Sequence, residues 1–231
     1  HDLNEWDSFS VEAALQLRDA VGDGEVVVVS VGDDDAEEGL LACLAKGADR
    51  AVRVDVGEDG PADSLAVARL LAVVAARESF DLVLCGVQSS DAVNGTTGVA
   101  LAAIAELPYV AVVRSIELVD GAGALVVGRE LEGGTVEQVR VSLPALLTVQ
   151  TGINEPRYAN LRAIKMAASK PMEVLTPDEL GLDGPGLEAA SGARISRLAM
   201  PAAGRGAQML EGDADAVAER IAAIIKEAGV A

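Results

Sequence analysis

The residues best suited to chemistry lie in a polar loop, residues 86–97, between a strand predicted at 81–85 and a helix predicted to begin at Gly95. Its Ser and Thr hydroxyls, together with the backbone N–H groups at a helix start, can bind phosphate oxygens. Asp91 and Gln88 can accept from or donate to a ribose or an adenine edge. The loop therefore predicts a nucleotide site.

Two glycines near the end of this loop, Gly95 and Gly98, are expected to let the backbone approach a ligand closely. A polar loop that merely caps the helix, through Asn94 or Thr97, is the alternative interpretation. The loop is not a Walker P-loop, because GxxxxGK[ST] is missing and no lysine stands ready for a γ-phosphate.

Groups for acid–base or nucleophilic catalysis are scarce. The only histidine is His1, so no Ser-His-Asp or Cys-His arrangement is expected, and HExxH is missing. Cys43 and Cys85 lack CxxC spacing and lie in apolar stretches, which is typical of core residues in a reducing cytosol. We therefore expect a cytoplasmic carrier or binding protein, not an enzyme, and no metal site.

The charge of the chain restricts its partners. Its 231 residues include 37 acidic and 18 basic side chains, for a formal net charge of -19. Such a field repels nucleic acid and anionic membranes. No apolar run reaches the roughly 18 residues of a membrane helix, and no secretory signal is visible. We expect no nucleic-acid partner and no direct membrane insertion.

Strands and helices alternate over the first hundred residues. Apolar runs predict strands at 26–31, 51–56 and 81–85, and periodic patterns predict helices at 36–46, 61–78 and 95–106. The strands contain unbroken apolar runs, so burial on both faces is expected. This alternation predicts an α/β fold with a doubly wound, mostly parallel sheet, in which ligands bind at the carboxyl ends of the strands.

The second half of the chain has a different hydrophobic pattern. Alternating patterns at 110–119, 124–131 and 136–143, joined by Asp-Gly at 120–121 and Gly-Gly at 133–134, predict an antiparallel excursion, followed by a buried strand at 145–149. Residues 181–212 are rich in Gly, Pro and Ala and predict an extended arm, which ends in an amphipathic helix at 214–228. We therefore predict an α/β nucleotide-binding domain at 1–180 and a C-terminal arm and helix at 181–231.

A second loop, residues 154–161, leaves the strand at 145–149 and enters a short helix predicted at 162–168. The Glu155-Pro156 step disfavours helix at that junction. An exposed loop that ends in Tyr158 and Leu161 on a rigid scaffold suits docking, because one apolar side chain in a partner's pocket can dominate a weak interface. The alternative is that both side chains pack down on the sheet.

Five segments together resemble the beta subunit of electron-transfer flavoproteins, over almost the whole chain. They are NEWD at 4–7, before the first helix; KGADRAVRV at 46–54; DLVLCGVQSSD at 81–91; RELEGGTVEQVRVSLPALLTV at 129–149; and INEPRYANL at 153–161. The resemblance implies an adenine-nucleotide alpha hydrolase-like fold. It also implies that the family's first strand and following turn, which would precede His1, are missing from this chain.

The resemblance implies a heterodimer in which an alpha subunit holds most of an FAD site, while the beta subunit shields the flavin and holds a structural AMP. Implied AMP contacts are Asn4, Glu5, Trp6, Asp7, Val31, Gly86, Val87, Gln88, Ser89, Ser90, Asp91, Ala92, Val93, Asn94, Gly95, Thr96 and Thr97. Many relatives have Gln-Thr-Gly where this chain has Thr96-Thr97-Gly98, which removes one amide contact.

The second loop resembles the one that docks on acyl-CoA dehydrogenases in this family, from which electrons pass to a quinone-linked acceptor. Its implied docking residues are Asn154, Glu155, Pro156, Arg157, Tyr158, Ala159, Asn160 and, as the anchoring side chain, Leu161. The C-terminal arm is expected to pack on the alpha subunit or on its own domain.

Three alternatives remain at this point. A bifurcating electron-transfer flavoprotein would hold a second FAD in place of AMP, although Thr97-Gly98 favours the AMP type. A stand-alone nucleotide-binding module of the universal-stress type shares the doubly wound architecture but has no place for the antiparallel excursion. A nucleotide-dependent enzyme would need catalytic groups that residues 1–231 do not include.

Overall fold

The computed structural model describes residues 3–57, 60, 63–119, 123–182, 192, 197, 199–200, 204, 206–207 and 209–229. The chain divides into two compact units, residues 1–194 and 195–231. In the described part, no helix is both long and apolar enough to cross a membrane.

The first unit contains five helices and eight strands among its described residues. The helices are α1 (Glu5–Val21), α2 (Ala36–Lys46), α3 (Ser64–Glu78), α4 (Thr97–Ile104) and α5 (Leu161–Ala167). The strands are β1 (Val27–Val31), β2 (Arg50–Val54), β3 (Leu82–Gly86), β4 (Tyr109–Leu118), β5 (Ala124–Glu130), β6 (Val136–Ser142), β7 (Ala145–Val149) and β8 (Met172–Leu175). The prediction of a mixed α/β fold is confirmed.

The strands form two sheets where the sequence predicted one. The first has the order β1-β2-β8 and is parallel throughout. The second has the order β3-β7-β4-β5-β6, parallel from β3 to β4 and antiparallel from β4 to β6. The predicted antiparallel excursion is therefore confirmed as β4, β5 and β6. Gly133 and Gly134, both at positive φ, form the turn between β5 and β6.

Two helices pack against strands of both sheets. In α3, Leu70 and Val74 join the core cluster of β1 and β2, whereas Ala68 and Ala72 join the cluster that contains Leu146 of β7. In α1, Leu15 belongs to the cluster around β1, while the first turn of this helix contacts the end of β3. Helices α1 and α3 therefore link the two sheets through side-chain packing.

The expectation that β1 and β3 are buried on both faces is wrong. All five residues of β3 are only half-buried, and in β1 Val28 alone is buried. Among the described residues, each strand pairs with a neighbouring strand on one side only. By contrast, β7 has a neighbour on each side, and all five of its residues are buried.

Several predicted boundaries shift in the structure. The first helix starts at Glu5, so residues 5–7 form its first turn and do not precede it, and β8 was not predicted at all. Helix α3 begins at Ser64; the prediction that Pro61 opens it, like the predicted turn at 120–121, lies outside the described residues. Most of the predicted arm at 181–212 also lies outside them.

The second unit is described mainly through helix α6 (Ala214–Glu227). Asp213 caps this helix, since its carboxylate accepts the backbone N–H of Ala216 at 2.9 Å. The predicted amphipathic helix is confirmed, and Ile221, Ile224 and Ile225 on its apolar face are exposed.

Candidate nucleotide site and docking loop

The start of α1 holds the loop that follows β3. Asp7 accepts the backbone N–H of Gly86 at 2.7 Å and the side-chain amide of Asn4 at 2.8 Å. The same Asn4 amide donates to the carbonyl oxygen of Gln88 at 2.9 Å, and its Oδ1 accepts the backbone N–H of Ser90 at 3.1 Å. These five residues form a set of contacts that we call the loop clasp. All five were predicted as nucleotide contacts.

Trp6 brings α1 against the ends of two neighbouring strands. A Cβ on Gly86 would lie 2.5 Å from the Cβ of Trp6, so only glycine fits at the end of β3. The indole Nε1 of Trp6 donates to Oε1 of Gln150, which directly follows β7, at 3.1 Å. The carboxyl ends of β3 and β7 therefore share one edge of the second sheet, where α/β proteins bind ligands.

The outer part of the loop is exposed and organised by its own short contacts. Both Ser89 Oγ, at 3.3 Å, and Asp91 Oδ1, at 2.6 Å, accept the backbone N–H of Ala92. The hydrogen bond with Ser89, followed by the one from Ala92, lowers the pKa of Asp91. Asp91 therefore presents an ionised carboxylate, which suits a hydroxyl group and repels a phosphate.

Helix α4 begins at this loop without a side-chain cap. Thr96 occupies the N-cap position, and no side-chain oxygen there accepts a first-turn N–H. The interpretation in which Asn94 or Thr97 caps the helix is therefore wrong; the Asn94 amide instead donates to Ser64 Oγ at the start of α3, at 3.4 Å. The first-turn N–H groups of α4 are left for another acceptor.

Gly98 is required for packing at the start of α4. A Cβ at this buried position would lie 2.5 Å from Sγ of Cys85 and 2.9 Å from Cγ2 of Thr148. Gly95, at φ +61° and exposed, remains at the surface of the loop. Cys43 is buried, as predicted for a core residue, whereas Cys85 is half-buried and packs against the core cluster around Leu101. Burial raises the pKa of the Cys85 thiol to about 12 and that of Cys43 to about 11.

The remaining predicted contacts are more scattered. Val31 ends β1 in the first sheet, opposite Val54, and Glu5 is exposed on α1. The backbone N–H of Val87 donates to Val149 at 3.2 Å and so continues the pairing of β3 with β7. Among the described residues, no group of three or more His, Cys, Asp and Glu could hold a metal ion.

The second loop leaves β7 at the same sheet edge and is fixed to α1. The Asn154 amide donates to the carbonyl oxygen of Phe9 at 3.0 Å. The guanidinium of Arg157 donates to both carboxylate oxygens of Glu12, from Nε at 2.8 Å and from Nη2 at 3.0 Å. The backbone N–H of Arg157 adds a third bond to Glu12 at 3.1 Å.

Glu12 was not found by the sequence reasoning. Its side chain is only 5% exposed. Burial raises the pKa of this carboxyl, but the hydrogen bonds from the side chain and backbone of Arg157 outweigh burial, so the pKa lies below its ordinary value. One signal in the sequence could have indicated that Glu12 is buried. Glu12 lies three residues before Leu15, which is fully buried, and residues three apart share one face of a helix.

The tip of the second loop is fully open. Tyr158 is 99% exposed and Leu161 is 80% exposed, so the interpretation in which both pack down on the sheet is wrong. Asn160 caps α5 by accepting the backbone N–H of Ala163 at 2.9 Å. A shallow hollow of about 400 Å³ adjoins the tip and is lined by Leu161, Arg162, Lys165, Met166 and Ser169.

The first unit is thus an α/β domain with a polar loop at the carboxyl edge of parallel strands and an exposed second loop beside it. Residues 1–180 match the sequence model of the electron transfer flavoprotein domain. The "electron transfer flavoprotein subunit beta" of Methylophilus methylotrophus is 46% identical over 230 residues, which are 98% of this chain and 86% of the relative.

Two more distant relatives carry the same name. The human protein is 38% identical over 185 residues, or 79% of this chain and 71% of the relative. The Bacillus subtilis protein is 35% identical over 182 residues, which are 78% of this chain and 69% of the relative. The chain therefore belongs to the electron transfer flavoprotein family, among its beta subunits.

Proposed function

We propose that this chain pairs with an electron-transfer flavoprotein alpha subunit, binds AMP in the 86–97 loop, and shields an FAD held mainly by the alpha subunit. It docks acyl-CoA dehydrogenase-type donors through residues 154–161, and electrons pass on to a quinone-linked acceptor. The bound flavin supplies the one-electron chemistry, and the chain itself acts as a carrier subunit and not as an enzyme.

The AMP assignment depends above all on the uncapped start of α4 beside an exposed polar loop. The N–H groups of the first turn offer donors to one phosphate, and the hydroxyls of Thr96 and Thr97 lie next to them. The carboxylate of Asp91 suits a ribose hydroxyl. The residues present therefore fit a nucleoside monophosphate.

The charge of the loop favours one phosphate over two or three. Residues 86–97 contain no Lys or Arg, so the loop offers no side-chain cation to neutralise a diphosphate or triphosphate. The loop clasp holds the inner end of the loop against α1, and ordering the loop in advance lowers the entropy lost on binding.

The docking assignment is supported by the exposure of the loop tip. Tyr158 and Leu161 offer apolar area that no other part of the described chain covers, on a stem fixed to α1. A small anchored contact suits partners that must bind briefly and release quickly.

Helix α6 is proposed to pack on the alpha subunit. Its three exposed isoleucines, Ile221, Ile224 and Ile225, form an apolar stripe of the kind that proteins bury against another element.

The test is co-expression of the chain with an alpha-type subunit, followed by denaturation and identification of the released nucleotides. One FAD and one AMP per heterodimer are expected. Asn4→Ala removes the side chain at the centre of the loop clasp and should lower the AMP content while leaving FAD in place. Gln138→Ala, at an exposed amide side chain on β6 at the opposite end of the sheet from β3, is the matched control and should retain both nucleotides.

Other results would identify the alternatives. Release of two FAD and no AMP per heterodimer would mean that a second flavin occupies the proposed AMP site. That result would identify a bifurcating electron-transfer flavoprotein. A flavin-free homodimer that binds ATP, with no heterodimer, would contradict the proposal and favour the universal-stress type of module.

A further inference from the structure

We propose that Glu12 and Arg157 are positioning residues, which hold the second loop on α1 and so fix the direction in which Tyr158 and Leu161 leave the surface. The inference rests on the proposed docking function. Its starting observation is the pair of parallel hydrogen bonds from Arg157 Nε and Nη2 to the two oxygens of one nearly buried carboxylate.

The exposed tip depends on its neighbours for its orientation. Tyr158 is 99% exposed, so packing of its own ring cannot hold it. On one side Arg157 is bound to Glu12, and on the other Ala159 packs against the core cluster around Leu15 and Asn160 caps α5. The stem is therefore ordered on both sides of a free tip.

The pair suits positioning better than stabilisation. A buried ion pair adds little net stability, because desolvation of both charges offsets their attraction. A planar guanidinium on a carboxylate does fix geometry, since both bonds are made only in one relative orientation. Asp19 also accepts from Arg157, at 3.3 Å, but its side chain is 51% exposed and its contribution is expected to be small.

Loss of the pair should weaken docking and leave electron transfer within the docked complex unchanged. A tip that samples several directions must be ordered on binding, which should lower affinity by roughly 2- to 13-fold, the equivalent of about 0.5–1.5 kcal/mol for one immobilised side chain. We therefore expect Glu12→Gln and Arg157→Gln each to raise the KM for the heterodimer by about that factor, at constant kcat.

The first experiment measures the order of the tip without any docking partner. A nitroxide label on Tyr158→Cys, attached to this chain before assembly with the alpha subunit, reports the mobility of the tip. The chain without Tyr158→Cys, treated in the same way, gives the background from Cys43, which is buried, and Cys85, which is half-buried. Glu12→Gln and Arg157→Gln should both mobilise the label, and the double variant should match the single ones. Asp19→Asn, the control, should leave it immobile. An equally immobile label in all variants would overturn the proposal.

Arg157→Lys separates charge from geometry. Lysine keeps the positive charge but cannot make the two parallel bonds. We expect the label to be mobile in this variant. A fully immobile label would contradict the positioning role given to the two hydrogen bonds from Arg157 to Glu12. Arg157 is 36% exposed at its side chain, so variants at this position test the idea even where Glu12→Gln fails to fold.

The second experiment separates this inference from the proposed function. The flavin-loaded heterodimer is reduced by an acyl-CoA dehydrogenase with its acyl-CoA substrate, and KM and kcat are measured for each variant without the label. A raised KM for Leu161→Ala with an unchanged KM for Glu12→Gln would overturn the positioning role. Unchanged KM values for both, with a mobile label in Glu12→Gln, would instead overturn the proposed docking function.

Discussion

The carboxylate of Asp7 accepts the backbone N–H of Gly86 at 2.7 Å, across 79 positions of sequence. Five residues further along the same helix, Glu12 binds Arg157 in the second loop. Helix α1 therefore fixes both loops that leave the carboxyl ends of β3 and β7. The proposed nucleotide site and the proposed docking loop share one support.

Asp7→Ala should weaken the attachment of the nucleotide loop to α1, because it removes the hydrogen bond from Gly86. The variant leaves the partly buried N–H of Gly86 without an acceptor, which costs about 1–3 kcal/mol in the free energy of unfolding. We also expect the nucleotide content of the purified heterodimer to fall. Thermal unfolding and nucleotide release measure the two effects. A wild-type unfolding temperature together with a wild-type nucleotide content would show that the loop clasp is needed neither for stability nor for nucleotide binding.

Gly98→Ala should destabilise the fold through overpacking. The added methyl group would lie 2.5 Å from Cys85 Sγ and 2.9 Å from Thr148 Cγ2, and such insertions cost about 1–3 kcal/mol. Gly39→Ala in α2 is the matched control, because nothing lies within 4 Å of a Cβ there. Alanine at that helical position should stabilise by about 0.5–1 kcal/mol. Equal midpoints in urea unfolding for the two variants would contradict the packing role of Gly98.

The sequence was sufficient to predict elements whose signal is local. The apolar run at 145–149 and the helix predicted at 36–46 have the predicted bounds in β7 and α2. The apolar stretch around Cys43 was also enough to place that residue in the core, whereas Cys85 is only half-buried. In each case one short window carries the apolar pattern and its end signals.

Features that depend on distant partners were missed. The role of Gly98 follows from side chains on β3 and β7, and that of Glu12 from Arg157, 145 positions away. The half-burial of β3 follows from its place at a sheet edge, which its own apolar sequence does not reveal. A short window of sequence does not show whether a strand lies at the edge or in the middle of its sheet.

Leu161→Ala should slow reduction of the heterodimer by its dehydrogenase and leave nucleotide binding intact. Leu161 is 80% exposed, so its removal leaves no cavity, and a central apolar anchor contributes about 2 kcal/mol or more to an interface. The expected result is a KM raised roughly 30-fold at wild-type thermal stability. Leu118→Ala, at a 45% exposed position of β4, is the control. An unchanged KM in the Leu161 variant would rule out the anchoring role.

Acid should release the second loop, because Glu12 must be ionised to accept both donors of Arg157. The pKa of Glu12 lies below its ordinary value of 4.5, so its contribution to stability is complete above that value and is lost as the pH falls through the lowered pKa. Between about pH 5 and pH 3, the free energy of unfolding should therefore fall more steeply in the parent protein than in Glu12→Gln. Asp19 also accepts from Arg157, so Asp19→Asn is introduced into both proteins, and the difference between their two urea-unfolding curves then isolates Glu12. Parallel curves across this range would show that the carboxylate is not held ionised by Arg157.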